Sequence, residues 1–244
     1  MQRFFISSRN ISHDQAIIED KKQIHYLKNV LRLKPDTAIT IFDENGNEYL
    51  CRILSFSGKT ALEIKKKLSP FRKKNSFKVT IACAIPKNSK MDDIIDKLTQ
   101  LGVDRIIPME TERVIVKLDK KKKAQRLGRW KKIALSASEQ SQRKSVPIVE
   151  PIKDIKNVLS EAGGYDLKII PALIDKRKTL KEILASSQAK NILVLIGPEG
   201  DFTQEEVNLA KEAGCIPVTL GELVFRVDTA AIAVASFIKL YADS

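Results

Sequence analysis

Residues 191–235 read NILVLIGPEGDFTQEEVNLAKEAGCIPVTLGELVFRVDTAAIAVA, and this stretch decides the fold class. Ile192 to Ile196 is a short run of leucine and β-branched residues, the pattern of a strand buried on both faces. Gly197-Pro198-Glu199-Gly200 breaks the run with a tight loop. Thr203, followed three residues later by Glu206, is a capping-box signature that starts a helix, and Gly214 ends it. Residues 215–220 read as a second strand, and a second loop runs from Gly221 to Asp228. Asp228 or Thr229 is placed to cap a last helix over 229–241. The unit is strand, glycine loop, helix, strand, loop, helix. In open parallel sheets, ligands sit at the carboxyl ends of the strands, where both loops lie.

A phosphate cradle combines glycines and bare N–H groups with a lysine. The first loop carries Glu199 and Asp201 and no lysine, which argues against a polyphosphate and suits a neutral or partly cationic ligand bearing hydroxyls. The spacing is equally compatible with a plain turn followed by acids in the first turn of a helix. No Gly-x-Gly-x-x-Gly follows a strand, and neither a Walker lysine nor a Gly-x-Ser-x-Gly elbow is present. The two histidines, His13 and His25, lie far in sequence from the loops, so neither a histidine-based triad nor a metal site is expected.

GPEGDF at 197–202, LGELVFRVDTAA at 220–231, EQSQR at 139–143, RFF at 3–5 and VLR at 30–32 together resemble the small-subunit ribosomal RNA uridine-N3 methyltransferases of the SPOUT superfamily. The resemblance spans nearly the whole chain, with the motifs in the family's order. It implies an α/β fold: a SPOUT-type parallel sheet with a deep trefoil knot in the last ~80 residues, an exception to the rule that chains are unknotted, preceded by a small PUA-like β-barrel that binds RNA. The expected domains are 1–70 and 76–244. The implied cofactor is S-adenosyl-L-methionine. The residues expected to hold it are Pro171, Ile196, Gly197, Pro198, Glu199, Gly200, Leu220, Gly221, Leu223, Val224, Phe225, Arg226, Thr229 and Ala230. The chain departs from the family's pattern at Asp201, where a glycine is usual, near Leu223, where an arginine is usual, at Phe225 and at Val227-Asp228-Thr229.

Composition points the same way. Lys+Arg 43 against Asp+Glu 30 gives a formal charge of +13, which favours a polyanionic partner, although a solvated basic surface gives the same number. Residues 65–78, KKKLSPFRKKNSFK, hold seven basic residues, no acid and Pro70, and mark a boundary between domains. The segment from Lys117 to Lys132 adds nine basic residues against Asp119 alone. Arg3, Lys28 and Arg32 in the first domain, with Lys90, Arg113 and Arg143 in the second, are the candidate RNA contacts; a solvated surface charge is the competing reading for each. The three cysteines, Cys51, Cys83 and Cys215, each sit in an apolar run and read as core thiols. No signal peptide precedes Arg3 and no apolar run reaches the ~18 residues of a membrane helix, so a cytoplasmic protein with no membrane partner is expected.

In the first domain, Phe4 to Ile6 reads as a strand, and Asp20 is placed to cap a helix with Ile24, Leu27, Val30 and Leu31 on one face. Residues 38–42 and 48–56 flank Asn45-Gly46, a hairpin signal, and Leu62 and Ile64 alternate in a further strand. In the second domain, Phe77 to Ile85 and Val103 to Pro108 read as strands around a helix bearing Met91, Ile94, Ile95, Leu98 and Leu101. A long helix carries Leu127, Trp130, Ala134 and Ala137, with Trp130 expected in the core. Asp154 caps a short helix, 166–170 is a strand ended by Pro171, and Thr179 to Ser186 is a helix. The last helix is apolar almost all round, which requires cover on every face. One sheet covers one side, and a second subunit is the natural cover for the other, giving a homodimer.

The resemblance implies methyl transfer to N3 of a uridine in 16S ribosomal RNA, taken either as naked RNA or within the assembled small subunit. Arg143 and Arg226 are the candidates to stabilise charge on the uracil oxygens, and Glu139 is the candidate base, with Glu199 and Asp228 behind it. Capping of the long helix is the competing reading of EQSQR, but the resemblance implies that this motif faces the target nucleotide. Two rival functions stand beside it: a SPOUT enzyme acting on ribose 2′-hydroxyls or another base, as in transfer RNA, which EQSQR and the barrel disfavour, and a non-catalytic RNA-binding assembly factor, to which Asp201 and Leu223 point.

Overall fold

The computed structural model describes residues 2–68, 77–87, 90–113, 118–143, 145–174 and 177–243. The chain divides into two compact units, Met1–Arg72 with Ser138–Val146, and Lys73–Ala137 with Pro147–Ser244. Most of the basic stretch at 65–78 lies outside the described residues.

In the first unit the elements are β1 (Arg3–Phe5), β2 (Gln15–Ile18), α1 (Lys21–His25), β3 (Ala38–Phe42), β4 (Glu48–Ser55) and β5 (Thr60–Leu68). They form one sheet in the order β1-β3-β4-β5-β2, a curled half-barrel. The expected barrel is therefore open: β1 and β2 are its two edges, and no pairing joins them among the described residues. The β3–β4 hairpin turns at Asn45-Gly46, where Gly46 has φ 78°. Ile39, Ile41, Cys51, Ile53 and Leu62 alternate inward to form the core with Phe4, Ile18 and Leu27.

Asp20 caps α1, its carboxylate accepting from the N–H groups of Lys22 and Gln23. The helix continues as a wider π turn over Tyr26–Val30, where the N–H of Leu31 donates to the carbonyl of Tyr26 at 2.9 Å. An extra residue per turn advances the phase, so the expected apolar face is interrupted. Val30 swings out to 57% exposure, while Leu31 and Leu33 pack against the core.

The second unit is α/β. Its elements are β6 (Lys78–Ala84), α2 (Lys90–Gln100), β7 (Arg105–Glu110), α3 (Lys120–Gln140), β8 (Ile148–Val149), β9 (Lys153–Asp154), α4 (Ile155–Ser160), β10 (Leu167–Pro171), β11 (Lys178–Thr179), α5 (Leu180–Ala185), β12 (Asn191–Ile196), α6 (Gln204–Glu212), β13 (Ile216–Thr219) and α7 (Val227–Asp243). The last turn of α3 groups with the first unit. All pairings are parallel, in the order β11-β13-β10-β12-β6-β7-β8, with β9 also on β7. β12 lies between β10 and β6, and Ile192 to Ile196 are buried throughout, as a strand with both faces covered requires. Burying each such side chain contributes about 1.5–3 kcal/mol.

Thr203 and Glu206 form the capping box at the start of α6, and Gly214, at φ 83°, follows its end. Trp130 is buried, and its indole Nε1 donates to Asp92 Oδ1 at 3.0 Å. Arg129 Nε donates to the other oxygen of Asp92 at 2.7 Å, so one carboxylate on α2 fixes the rotation of α3. The cysteines are free and buried, and burial raises all three thiols, Cys51 to about 12 and Cys215 to about 11.

α7 begins earlier than its sequence suggests. Val227 is already helical and the carbonyl of Arg226 accepts the N–H of Ala230 at 2.8 Å, so Asp228 and Thr229 lie inside the first turn. Burial of Val227 draws the chain in at that point. Along α7, Ala231, Val234, Ala235 and Ile238 are buried, whereas Phe237 is partly exposed and Leu240 is 69% exposed. The chain by itself covers one side of this helix. No helix among the described residues is long and apolar enough to cross a membrane.

Candidate active site

A cavity of about 310 Å³ opens at the carboxyl ends of β10, β12 and β13, three neighbouring strands. Its size falls at the lower end of small-molecule sites, roughly 300–1,000 Å³. The chain after β12 supplies Ile196, Gly197, Pro198, Glu199 and Gly200; the chain after β13 supplies Leu220, Gly221, Leu223, Val224 and Phe225; Pro171 ends β10 and Ala230 stands on α7. All were expected from sequence. Arg226 and Thr229, also expected, are both exposed and are not on the cavity wall. The wall further includes Ala172, Leu173, Arg177, Asp201, Val218 and Val227. Ala172, Leu173, Arg177 and Val218 were missed because only the strand order, with β10 between β12 and β13, brings them there, whereas Asp201 was read as part of the ligand loop and Val227 lies between expected residues.

The first loop is built by its acids. Asp201 has φ 59°, a left-handed conformation that glycine adopts freely and aspartate tolerates. Its Oδ1 accepts the N–H of Phe202 at 2.8 Å, and its Oδ2 accepts the N–H of Leu173 at 2.9 Å, joining this loop to the end of β10. Glu199 accepts the N–H of Lys87 at 3.1 Å, and Arg113 donates to the carbonyl of Gly200 at 2.6 Å. Both carboxylates border the cavity, but these bonds serve the backbone rather than a ligand. Gly197 is needed for close approach: a Cβ there would stand 3.0 Å from the ring of Phe202.

The second loop is looser. Thr219 Oγ1 donates to the carbonyl of Gly221 and accepts its N–H, at 3.0 and 3.2 Å. Gly221 has φ 115°, a conformation unsuited to any side chain, and a Cβ there would meet nothing within 4 Å. Leu223 and Val224 are 76% and 73% exposed at the cavity mouth. Behind this loop, Oδ1 of Asp228 is buried without a hydrogen-bond partner among the described residues, and the Lys90 ammonium is 3.8 Å from it. Arg177 is the one cationic side chain on the wall among the described residues. An apolar cleft with open backbone and no lysine among its described wall residues fits an amphipathic cation better than a polyphosphate.

The remaining predicted residues fall into two groups. Glu139, half-buried, belongs with the first unit, where Oε1 accepts the N–H of Phe5 at 3.1 Å and the amide of Gln23 at 2.9 Å. Burial raises its carboxyl above the ordinary range, partly offset by these two bonds. Arg143 follows a turn in which Gln142 has φ 57°, and its N–H donates to the carbonyl of Ser138 at 3.0 Å. Lys28 and Arg32 are exposed on the first unit. Arg3 is the exception among the expected phosphate contacts: its side chain is largely buried, paired with Glu48 and laid over the ring of Phe42 at 4.9 Å. It is a strut of the sheet, since a phosphate could reach it only by displacing Glu48. His25 bonds Asn29 at 2.8 Å on the surface of the same unit.

Residues 73–239 match the RNA methyltransferase domain family, and residues 18–67 match the RNA methyltransferase PUA domain. The fold and site therefore define an RNA methyltransferase. The chain is similar to the ribosomal RNA small subunit methyltransferase E of Bacillus subtilis, with 31% identity over 98% of this chain and 96% of that protein. The Rickettsia conorii protein of the same name is 29% identical over 98% of this chain and 95% of its own length. Among solved structures, a ribosomal RNA small subunit methyltransferase E from Neisseria gonorrhoeae bound to S-adenosyl methionine is 32% identical, with a TM-score of 0.86 over 99% of this chain and 98% of that one. The chain belongs to the ribosomal RNA small subunit methyltransferase E family.

Proposed function

We propose that this S-adenosylmethionine-dependent ribosomal RNA methyltransferase acts on N3 of a uridine in 16S RNA, as a cytoplasmic homodimer working on the assembled small subunit. The observation that carries the reading is the cavity at the ends of β10, β12 and β13, which is lined by glycines and has no lysine among its described wall residues, in a chain whose N. gonorrhoeae relative is bound to S-adenosyl methionine. Residues 1–70 serve as the RNA-binding domain and 76–244 as the methyltransferase domain. The second loop and α7 are threaded as a trefoil knot. In support, β13 lies on the far side of β10 from β12, so the chain crosses β10 between them.

The backbones of Gly197, Gly200, Leu220 and Gly221, with the apolar side chains around them, would hold the cofactor, which when bound supplies an electrophilic methyl group on a sulfonium. The chain must then position the uracil, since alignment contributes about 7–11 kcal/mol of the barrier in such displacements. It must also remove the N3 proton and stabilise charge on O2 or O4. Glu139 takes the proton; a carboxyl raised by burial is a better base near neutral pH than an exposed one. Arg143 and Arg226 stabilise the oxygens. Lys28, Arg32, Lys90 and Arg113 contact phosphates.

The uncovered face of α7, with Phe237 and Leu240, supports the dimer. Leu240→Glu should give a folded monomer by sedimentation, and an unchanged dimer would rule this face out. The deciding experiment for the reaction is mapping of methylated nucleotides in 16S RNA from cells with and without the protein. A methyl group on a ribose, or on transfer RNA alone, would overturn it. Glu139→Gln keeps an oxygen for the bonds from Phe5 and Gln23, so it should fold normally and lose single-turnover methylation; full activity would remove Glu139 as base.

A further inference from the structure

We propose that the outer face of α3, centred on Gly128, is a second docking surface for the phosphodiester backbone of the RNA substrate. The inference rests on the reading that the substrate is RNA, and adds to it a binding surface away from the cavity.

The surface is a shallow groove of about 520 Å³ bordered by Gln125, Gly128, Arg129, Lys132 and Ser136. Gly128 sits near the middle of a helix of 21 residues, where glycine is less stable than alanine. Nothing in this chain requires it there: the residue is exposed, and a Cβ would meet no atom within 4 Å. The missing side chain does open the helix backbone to close approach from outside.

What approaches must be anionic. At 100° per residue, Lys121 and Lys132 fall on the same face as Gly128, with Lys120 and Lys131 beside them, and all four are exposed. No ion pair joins Lys121 or Lys132 to an acid among the described residues. Arg129 is held by Asp92, Lys122 by Asp119 and Lys123 by Glu110, whereas Lys120, Lys121, Lys131 and Lys132 on the outer face have no ion pair among the described residues. The rotation that presents this face is fixed, because Trp130 and Arg129 both donate to Asp92. Small residues at 124, 128 and 136 could also seat a helix of a second copy. Two such faces would bring like charges together, which disfavours that arrangement. A phosphodiester chain satisfies both the lysines and the opening at Gly128.

The test uses the full-length protein, an in vitro transcript of 16S RNA, filter binding across a salt series, calorimetry with S-adenosylmethionine and single-turnover methylation. Lys121→Gln with Lys132→Gln should flatten the log–log salt dependence by about 1.4–1.8, the value for two phosphate contacts at roughly 0.7–0.9 each. Cofactor affinity should not change. Gly128→Ala should raise the thermal midpoint, because alanine favours the helix, and yet weaken RNA binding a few-fold, because the added methyl holds the phosphate chain off the helix backbone. An unchanged salt slope in the lysine variant, or normal RNA binding in Gly128→Ala, overturns the proposal. So does a shift in the sedimentation of the free protein with the slope intact, which would assign the groove to a second copy. If the wild-type protein neither binds nor methylates the transcript, the underlying reading fails as well. If the wild type does both and the variants match it, only the α3 surface fails.

Discussion

The two loops of the cavity are made in opposite ways. The loop after β12 is tied down at every turn: Asp201 to Phe202 and Leu173, Glu199 to Lys87, Gly200 to Arg113, with Phe202 buried beneath. Among the described residues, the loop after β13 has one local pair of hydrogen bonds, at Thr219 and Gly221, and turns Leu223 and Val224 to solvent. One is a fixed wall and the other an apolar lip. The contrast teaches how a site can be preorganised and still admit its ligand: charged hydrogen bonds set the wall before binding, and the lip gains its apolar burial on binding.

Substitutions should separate the two. Gly221→Val should have the largest effect, lowering S-adenosylmethionine affinity by about 100-fold or more in calorimetry. A β-branched residue at φ 115° is strained by about 1–3 kcal/mol and its side chain enters the open space of the cavity. Normal binding would mean that the lip is not where the cofactor lies. Asp201→Ala should destabilise the protein by about 1–3 kcal/mol in urea, through two lost backbone acceptors and an unfavourable left-handed alanine. Asp201→Gly should recover the backbone part of that loss and not the rest. Equal effects of the two would break the account of the wall. Leu223→Ala should leave stability within about 0.5 kcal/mol, since the side chain is exposed. It should weaken cofactor binding a few-fold, and a larger effect on stability than on binding would reverse its assignment as lip.

The smallest effect concerns pH. Glu205, in the first turn of α6 next to the wall, has its carboxyl held below the usual range by its own N–H and the Thr203 hydroxyl. A lowered folded value means that its contribution is present above the unfolded value, near 4.5, and is lost as pH falls through the folded one. Acid titration of thermal stability should therefore show a shallower decline in Glu205→Gln, with cofactor affinity at neutral pH unchanged.

The strand at 192–196, the capping box at Thr203, the β3–β4 hairpin and the cavity glycines were legible because each is a local signal, set by neighbours within a few residues. What was not legible depends on distant partners. Arg3 reads as a free surface charge until Glu48, 45 residues away, is placed against it. Asp201 reads as a ligand contact until Leu173, 28 residues away, takes its carboxylate. Val30 kept its place in the apolar period, and only the π turn turned it outward. The order of strands in the first sheet, a half-barrel with β1 and β2 at its edges, follows from pairing that no spacing encodes.

Cys83 ends up fully buried near the end of β6, and burial, then the charges of Glu199 and Asp228, push its thiol well up. A sulfonium methyl donor is an alkylating agent, and its preferred victims are thiolates, not thiols. Cys83 pairs in register with Ile196 on the cavity wall, so a methyl donor bound in that cavity would lie one strand away from this sulfur. Desolvation disfavours the Cys83 thiolate, so a cysteine in that part of the core is a poor nucleophile toward such a reagent.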